Sequence, residues 1–461
     1  MTRIAIATMD VLSARMAGPA IRAWHVAMAL STEHEVRLVS TVACSIEHER
    51  FSTATLTEPD EMRQLDDWCD VFIFQGSVMA AFPFLRRSSK VMVVDVYDPM
   101  HLEQLEETRG ADEETRERIV RHAVAVLNEQ LLRGDFFLCA SAKQRDLWIG
   151  HLSALGRVNP ATYDEDGSLA SRLAIVPFGL PDDPPVATDH AVRGVIPGIG
   201  RDDDLLLWGG GIYNWFDPLT LIRAVDKLRL RRPNVRLLFL GVQHPNGPPM
   251  RMVVAARALA DELVLTGSHV FFNEGWVPYE RRQDYLLEAD IGVSTHLDHL
   301  ETEFSFRTRM LDYIWAGLPM VATRGDAFAN LIEERQLGLT APAQDADALA
   351  DALFHLLDDA ELRDVCRRNV VALAPEFVWG TVLSPLMEFC HNPSAAPDRT
   401  DPGIAVELER THTVLAERRG WRRDVVITID HLRRGGPMRV LVKARSRIGH
   451  TLRSRRERAG R

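Results

Sequence analysis

Two kinds of hydrophobic spacing alternate along this chain. Short apolar runs, of the length and continuity expected of strands buried on both faces, are separated by stretches in which apolar residues recur at helical intervals. In the first half the runs are Ile4–Thr8, Val36–Ser40, Val71–Phe74, Val91–Val96, Phe136–Ala140 and Leu173–Val176. A second series follows at Leu205–Trp208, Val235–Gly241, Val270–Phe272, Ile291–Thr295 and Met320–Thr323. This pattern predicts two α/β units, each a parallel sheet covered by helices on both faces. Between them, residues 177–204 are rich in proline and glycine and lack periodicity, which predicts a linker over 181–203. The first unit is then 1–180 and the second 204–373. In such sheets ligands gather at the carboxyl ends of the strands, so polar residues there are the candidates for chemistry.

The richest such stretch is Glu301 to Asp326. It holds a carboxylate pair (Glu301, Glu303), two arginines one residue apart (Arg307, Arg309), Asp312, and an Ala-Gly-Leu-Pro break at 316–319. The arginines fall at the start of a helix, where free N–H groups and the dipole already favour an anion. Their guanidinium forks match phosphate oxygens. Asp312, three residues beyond Arg309, shares its helix face and suits ribose hydroxyls. A phosphate grip beside a hydroxyl grip describes a nucleotide-sugar site; solvated charges on an amphipathic helix are the alternative. Two glycine-bearing turns add to it. After the first strand, Gly18-Pro19 opens a helix with Ile21, Trp24 and Met28 as its expected buried stripe and Arg22 in its first turns. After Trp208, Gly209, Gly210 and Gly211 have the position of a backbone cradle for phosphate. The neighbouring Tyr213, Trp215 and Phe216 either stack on a base or sugar or pack the domain cleft.

The run Leu311-Asp312-Tyr313-Ile314-Trp315-Ala316-Gly317-Leu318-Pro319-Met320-Val321 resembles the donor-site helix and following strand of the retaining glycosyltransferases of the GT-B fold, family 4 type. The resemblance covers about residues 1–390 and is strongest at 271–326. It implies two Rossmann-like domains facing a central cleft, with a helix over 374–390 crossing back to the first domain. It also implies a nucleotide-sugar donor, no bound cofactor or metal, and transfer with retention to a hydroxyl of a glycan or lipid-linked acceptor. Asp312 then takes the ribose, Arg307 and Arg309 the diphosphate, and Glu301 or Glu303 the donor sugar. Gly18, Arg22 and the 209–211 glycines line the donor site. His101 after Val96-Tyr97-Asp98-Pro99 approaches the sugar or acceptor, unless it is an ordinary surface histidine. Backbone groups near Trp276 and Val277 read the base. The chain departs from the family at three places: Phe304 stands where a second Glu is usual, and Gly211 and Phe216 where an Arg and a Lys are usual. A non-catalytic carbohydrate-binding relative, or a nucleotide-sugar epimerase on the same fold, are the rival readings.

Charge changes the picture at one end. Net charge is −11, yet residues 418–461 hold fifteen Lys or Arg against three Asp or Glu, a balance of +12 that leaves −23 on the rest. With Leu441, Ala444, Ile448 and Leu452 on one side of a helix, this tail suits an anionic membrane surface. A nucleic-acid-binding tail or plain disorder are the other options, and no specific nucleic acid is expected. Residues 391–403 read as a disordered spacer before it. Asp202-Asp203-Asp204 reads as solvated linker rather than a metal motif. Five scattered cysteines with no CxxC pair predict reduced thiols, and the N-terminus carries no signal-peptide pattern. The expectation is a cytoplasmic protein, peripheral on the inner face of the plasma membrane.

Overall fold

A computed structural model describes residues 1–242, 250–275 and 277–416. The first sheet comprises β1 (Arg3–Thr8), β2 (Glu35–Ser40), β3 (Ser52–Thr55), β4 (Val71–Gln75), β5 (Val91–Asp95), β6 (Phe136–Cys139) and β7 (Leu173–Ile175), in spatial order β3-β2-β1-β4-β5-β6-β7. The second comprises β8 (Asp204–Gly211), β9 (Val235–Gly241), β10 (Val270–Phe272), β11 (Ile291–Ser294), β12 (Met320–Thr323) and β13 (Gly338–Ala341), in order β10-β9-β8-β11-β12-β13. Every ladder is parallel. Both sheets reverse direction of growth beside their first strand, β1/β4 in one and β8/β11 in the other. That reversal opens a crevice at the carboxyl ends. The apolar runs form the interior: β4 and β6 are buried at every position.

The strands that hydrophobic spacing missed are the two edges. Ser52–Thr55 is polar and mostly exposed, and Gly338–Ala341 is only partly buried, so neither carries an apolar run. The helix Gly18–Leu30 forms with Pro19 in its first turn, but its buried face is Ala20, Ile21, Arg22, Ala23, Val26, Ala27 and Leu30. Trp24 and Met28, expected on that stripe, are only partly buried. Asp203 pairs with Arg236 and Asp204 with Arg232 at the entry to β8, and with their side chains 13% and 18% exposed these two aspartates are part-buried ion-pair partners, not the solvated linker expected.

Beyond the second unit the chain returns to the first. Trp379 N–H donates to Leu180 O (3.0 Å) and Leu180 N–H to Phe377 O (2.7 Å). The helix Ser384–His391 then buries Leu386 and Cys390, with Phe389 stacked on Phe136 at 4.1 Å. The stretch expected to be a disordered spacer is instead pinned to this unit. Asp398, 3% exposed, takes a bidentate pair from Arg157 (2.9 and 3.0 Å), and Ala396 N–H donates to Asp135 (2.9 Å). Proline, serine and aspartate give a disordered composition, but a buried arginine 241 residues upstream in sequence overrides it. A further helix, Pro402–Ala416, follows and packs on the helix Glu113–Arg133, with His412 on Glu129 at 3.1 Å. The expected amphipathic tail lies outside the described residues. No helix among the described residues is long and apolar enough to cross a membrane.

Candidate active site

The helix Thr308–Trp315 is positioned by Tyr313, which is fully buried. Its hydroxyl accepts from Gly209 N–H (2.8 Å) and lies 2.9 Å from Val293 O and 3.0 Å from Leu207 O, sharing its one proton between them. The ring lies against Gly292, where an added Cβ would sit 2.5 Å from it. One side chain thus ties this helix to the middle two strands of the second sheet. The glycine run is the end of β8 rather than a free loop, with a bulge between Trp208 and Gly211. Gly209 N–H is therefore engaged, which corrects the expectation of three open donors. Gly210 is exposed at φ +74°, with nothing within 4 Å of where a Cβ would stand.

Arg309 comes out of that helix between aromatic rings. Its guanidinium carbon lies 4.3 Å from the Trp208 ring centre and 4.2 Å from that of Phe216, and Nη2 donates to Gly211 O at 2.7 Å. Nη1 is buried without a hydrogen-bond partner. Burial lowers its pKa to about 10, with Arg307 adding to the effect, so it stays protonated at neutral pH. Phe216, standing where the resemblance expects a lysine, is thus covered by the guanidinium groups of Arg309 and, at 4.8 Å, Arg307. Of the nearby aromatics, Tyr213 and Trp215 stack on one another at 5.0 Å and both pack the second unit.

Two expected ligands turn out to be each other's partner. Arg307 Nη1 and Nη2 donate to the two oxygens of Glu301 at 2.9 and 2.7 Å, both residues being 5% exposed. This corrects the assignment of Arg307 as an open phosphate fork and of Glu301 as an open sugar-binding carboxylate. Arg307 Nε remains buried without a partner. Arg22 is also corrected as a donor-site residue. It is fully buried, paired with Asp95 (2.6 and 3.0 Å), and donates to Pro177 O and Val176 O, both at 2.8 Å. Helix Gly18–Leu30 points this cation into the first unit's interior because Asp95 ends β5 there. Glu303 is exposed and faces Lys143 at 3.7 Å. Asp312 stays part-exposed, with Arg282 Nε donating to Oδ1 at 2.9 Å. His101 packs beside Trp148 and His151 of the first unit, and burial lowers its pKa to about 4. Gly18 lies in ordinary contact range of Phe178, Val277 is packed at the core's edge, and Trp276 lies outside the described residues.

Four residues at the cleft escaped the sequence reading. Arg282 lies over the rings of Tyr279 (3.6 Å) and Trp315 (4.3 Å) while holding Asp312. His296 and Asp326, both buried, stand 3.4 Å apart. Burial alone would raise the Asp326 pKa, but the His296 contact and the Arg307 charge hold it below the usual carboxylate range. Both follow strand ends, β11 and β12, where the carboxyl-end rule would have found them. Gln144, fully buried, donates to Phe304 O and Tyr97 O, each at 2.8 Å, and so joins the units; nothing in its spacing signals that. Among the described residues, no group of His, Cys, Asp or Glu in this cleft is arranged to hold a metal.

Residues 203–359 match the family model described as Glycosyl transferases group 1. A phosphatidyl-myo-inositol mannosyltransferase of Mycolicibacterium smegmatis is 28% identical over 42% of this chain and 46% of its own length. A D-inositol 3-phosphate glycosyltransferase of Corynebacterium urealyticum is 25% identical over 46% of this chain and 48% of its own. The chain therefore spans about half the length of these curated relatives. Among solved structures, the Anabaena HepE protein in complex with UDP-glucose superposes with a TM-score of 0.59 over 85% of this chain and 100% of that one, at 13% identity. WaaG, a glycosyltransferase involved in lipopolysaccharide biosynthesis, gives 0.59 over 84% and 100%, at 16% identity. The second unit, residues 203–359, is thus similar to the group 1 glycosyltransferases, and the two doubly wound parallel sheets give the chain the GT-B fold.

Proposed function

We propose that this chain is a retaining glycosyltransferase that moves a sugar from a nucleotide-sugar to a hydroxyl of a glycan or lipid-linked acceptor. The observation that carries the reading is Arg309: a protonated guanidinium beside the exposed Gly210 turn, with a buried N–H that has no partner. A departing diphosphate is the ligand whose charge and oxygens such a group would stabilise. Asp312, held by Arg282 and part-exposed on the same helix, is the carboxylate we assign to the ribose. Chemistry here consists of positioning and charge neutralisation, with the leaving phosphate taking the acceptor's proton. The mutual pairing of Arg307 and Glu301 favours one rival, a carbohydrate-binding relative without turnover. Incubation with a panel of nucleotide-sugars decides between them. Release of nucleoside diphosphate is expected for one donor; an altered sugar still attached to its nucleotide marks an epimerase; binding with no product sinks the transfer reading.

The basic segment 418–461 supports a place at an anionic leaflet, where each Lys or Arg near the surface contributes about 1 kcal/mol. The full chain is expected to sediment with phosphatidylserine vesicles at low salt and to release at high salt. A chain ending at 417 is expected to remain in the supernatant; equal sedimentation of both forms removes the membrane role.

A further inference from the structure

The end of the returning helix meets the first unit at a cluster that the transfer reaction does not use. His391 closes the helix Ser384–His391, and Glu33 and His34 form the turn between the helix Gly18–Leu30 and β2. One ligand atom from each of these three residues lies within 4.8 Å of the others. His391 Nε2 already faces Glu33 Oε2, and the His34 and His391 rings are 5.6 Å apart. His34 is 5% exposed, and its Nε2 is buried with no hydrogen-bond partner. Because the turn precedes β2, the cluster sits at the amino ends of the strands, on the far side of the sheet from the cleft.

We propose that Glu33, His34 and His391 form a site for a divalent transition metal of the zinc class, which staples the returning helix to the first unit. Two imidazoles and a carboxylate are a donor set that zinc accepts, with water in the fourth position. Ligand atoms round a tetrahedral zinc stand about 3.3 Å apart, so the cluster closes by rotating two exposed side chains, Glu33 and His391. Without an ion, His391 pairs with Glu33 while the buried Nε2 of His34 has no partner. With one, all three residues act in their metal-binding protonation states. Ligation through Nε2 places the proton on Nδ1 and gives up only the long contact from Thr2 N–H at 3.4 Å. Thr2 Oγ1 also donates to Cys390 O at 3.2 Å, so the staple would reinforce an existing seam.

The test uses the full chain stripped of metal by a chelator, titrated with Zn²⁺ in a calorimeter and with Co²⁺ by visible absorption. One tight site with a tetrahedral cobalt band is expected, together with a rise in Tm on zinc addition. His391→Ala and Glu33→Gln, both at exposed positions, are each expected to lower zinc affinity at least tenfold and to shrink the Tm rise. Nucleoside-diphosphate binding should be the same with and without zinc. Equal zinc affinity in the wild type and both variants, or no binding by the wild type, overturns the proposal.

Discussion

Arg22 in the first unit and Arg309 in the second are both buried, both lie against aromatic rings, and both lie near the carboxyl ends of a sheet's strands. They differ in what surrounds the charge. Arg22 meets a bidentate carboxylate and two carbonyls, which neutralise it and engage its donors. Arg309 meets one carbonyl and two ring faces, with no carboxylate hydrogen-bonded to it and its Nη1 left without a partner. Burying a charge is tolerated when it is paired and hydrogen-bonded, so the first arrangement is complete in itself. The second keeps a positive charge that an anionic ligand would complete.

The largest effect expected from this contrast is on folding. Arg22→Ala leaves Asp95 buried without its partner and should destabilise the protein by about 3–5 kcal/mol in urea denaturation. A loss under 1 kcal/mol would mean that Arg22 is not built in, and would return it to the ligand site. Next comes acid sensitivity at the same helix. His25, stacked on Trp379 at 4.6 Å, has its pKa lowered to about 4 by burial and by the Arg282 charge. The neutral ring is the native form, whereas the unfolded chain takes up a proton near pH 6.5. Its contribution is therefore complete above pH 6.5 and is lost as pH falls towards 4, about 3 kcal/mol in all. His25→Phe keeps the stack and should flatten that part of the stability–pH curve; an unchanged curve would show His25 is reached by water. The smallest effect is the most specific. Arg309→Ala should weaken nucleoside-diphosphate binding about ten- to a hundredfold, the worth of a charge-assisted contact of about 1.5–3 kcal/mol, with Tm little changed. Unchanged affinity by calorimetry would end the contrast with Arg22.

Much of the fold could be read from hydrophobic spacing because the interior strands are buried on both faces and so carry unbroken apolar runs. The polar edge Ser52–Thr55 offers no such run, and the anchoring of Asp398 depends on Arg157, far away in sequence. The site was legible in part. The placement of Arg309 and Asp312 on one helix follows from their spacing. The pairing of Arg307 with Glu301, and of Arg22 with Asp95, does not, because a guanidinium fork suits a carboxylate as well as a phosphate. Residue type therefore named the chemistry available, and only geometry showed whether a protein group had already taken it up.

The Tyr313 anchor has a consequence for how such a chain can diverge. Its ring occupies the space above Gly292 and its hydroxyl holds Gly209 N–H, so three positions on three elements are filled by one side chain. A lineage acquiring even alanine at 292 would drive a methyl group into that ring, and one losing the tyrosine would leave a hollow and an unmet N–H beneath Gly210. Neither step is open alone. Drift at the periphery of this unit is free to continue, while these three residues can be inherited only as a set.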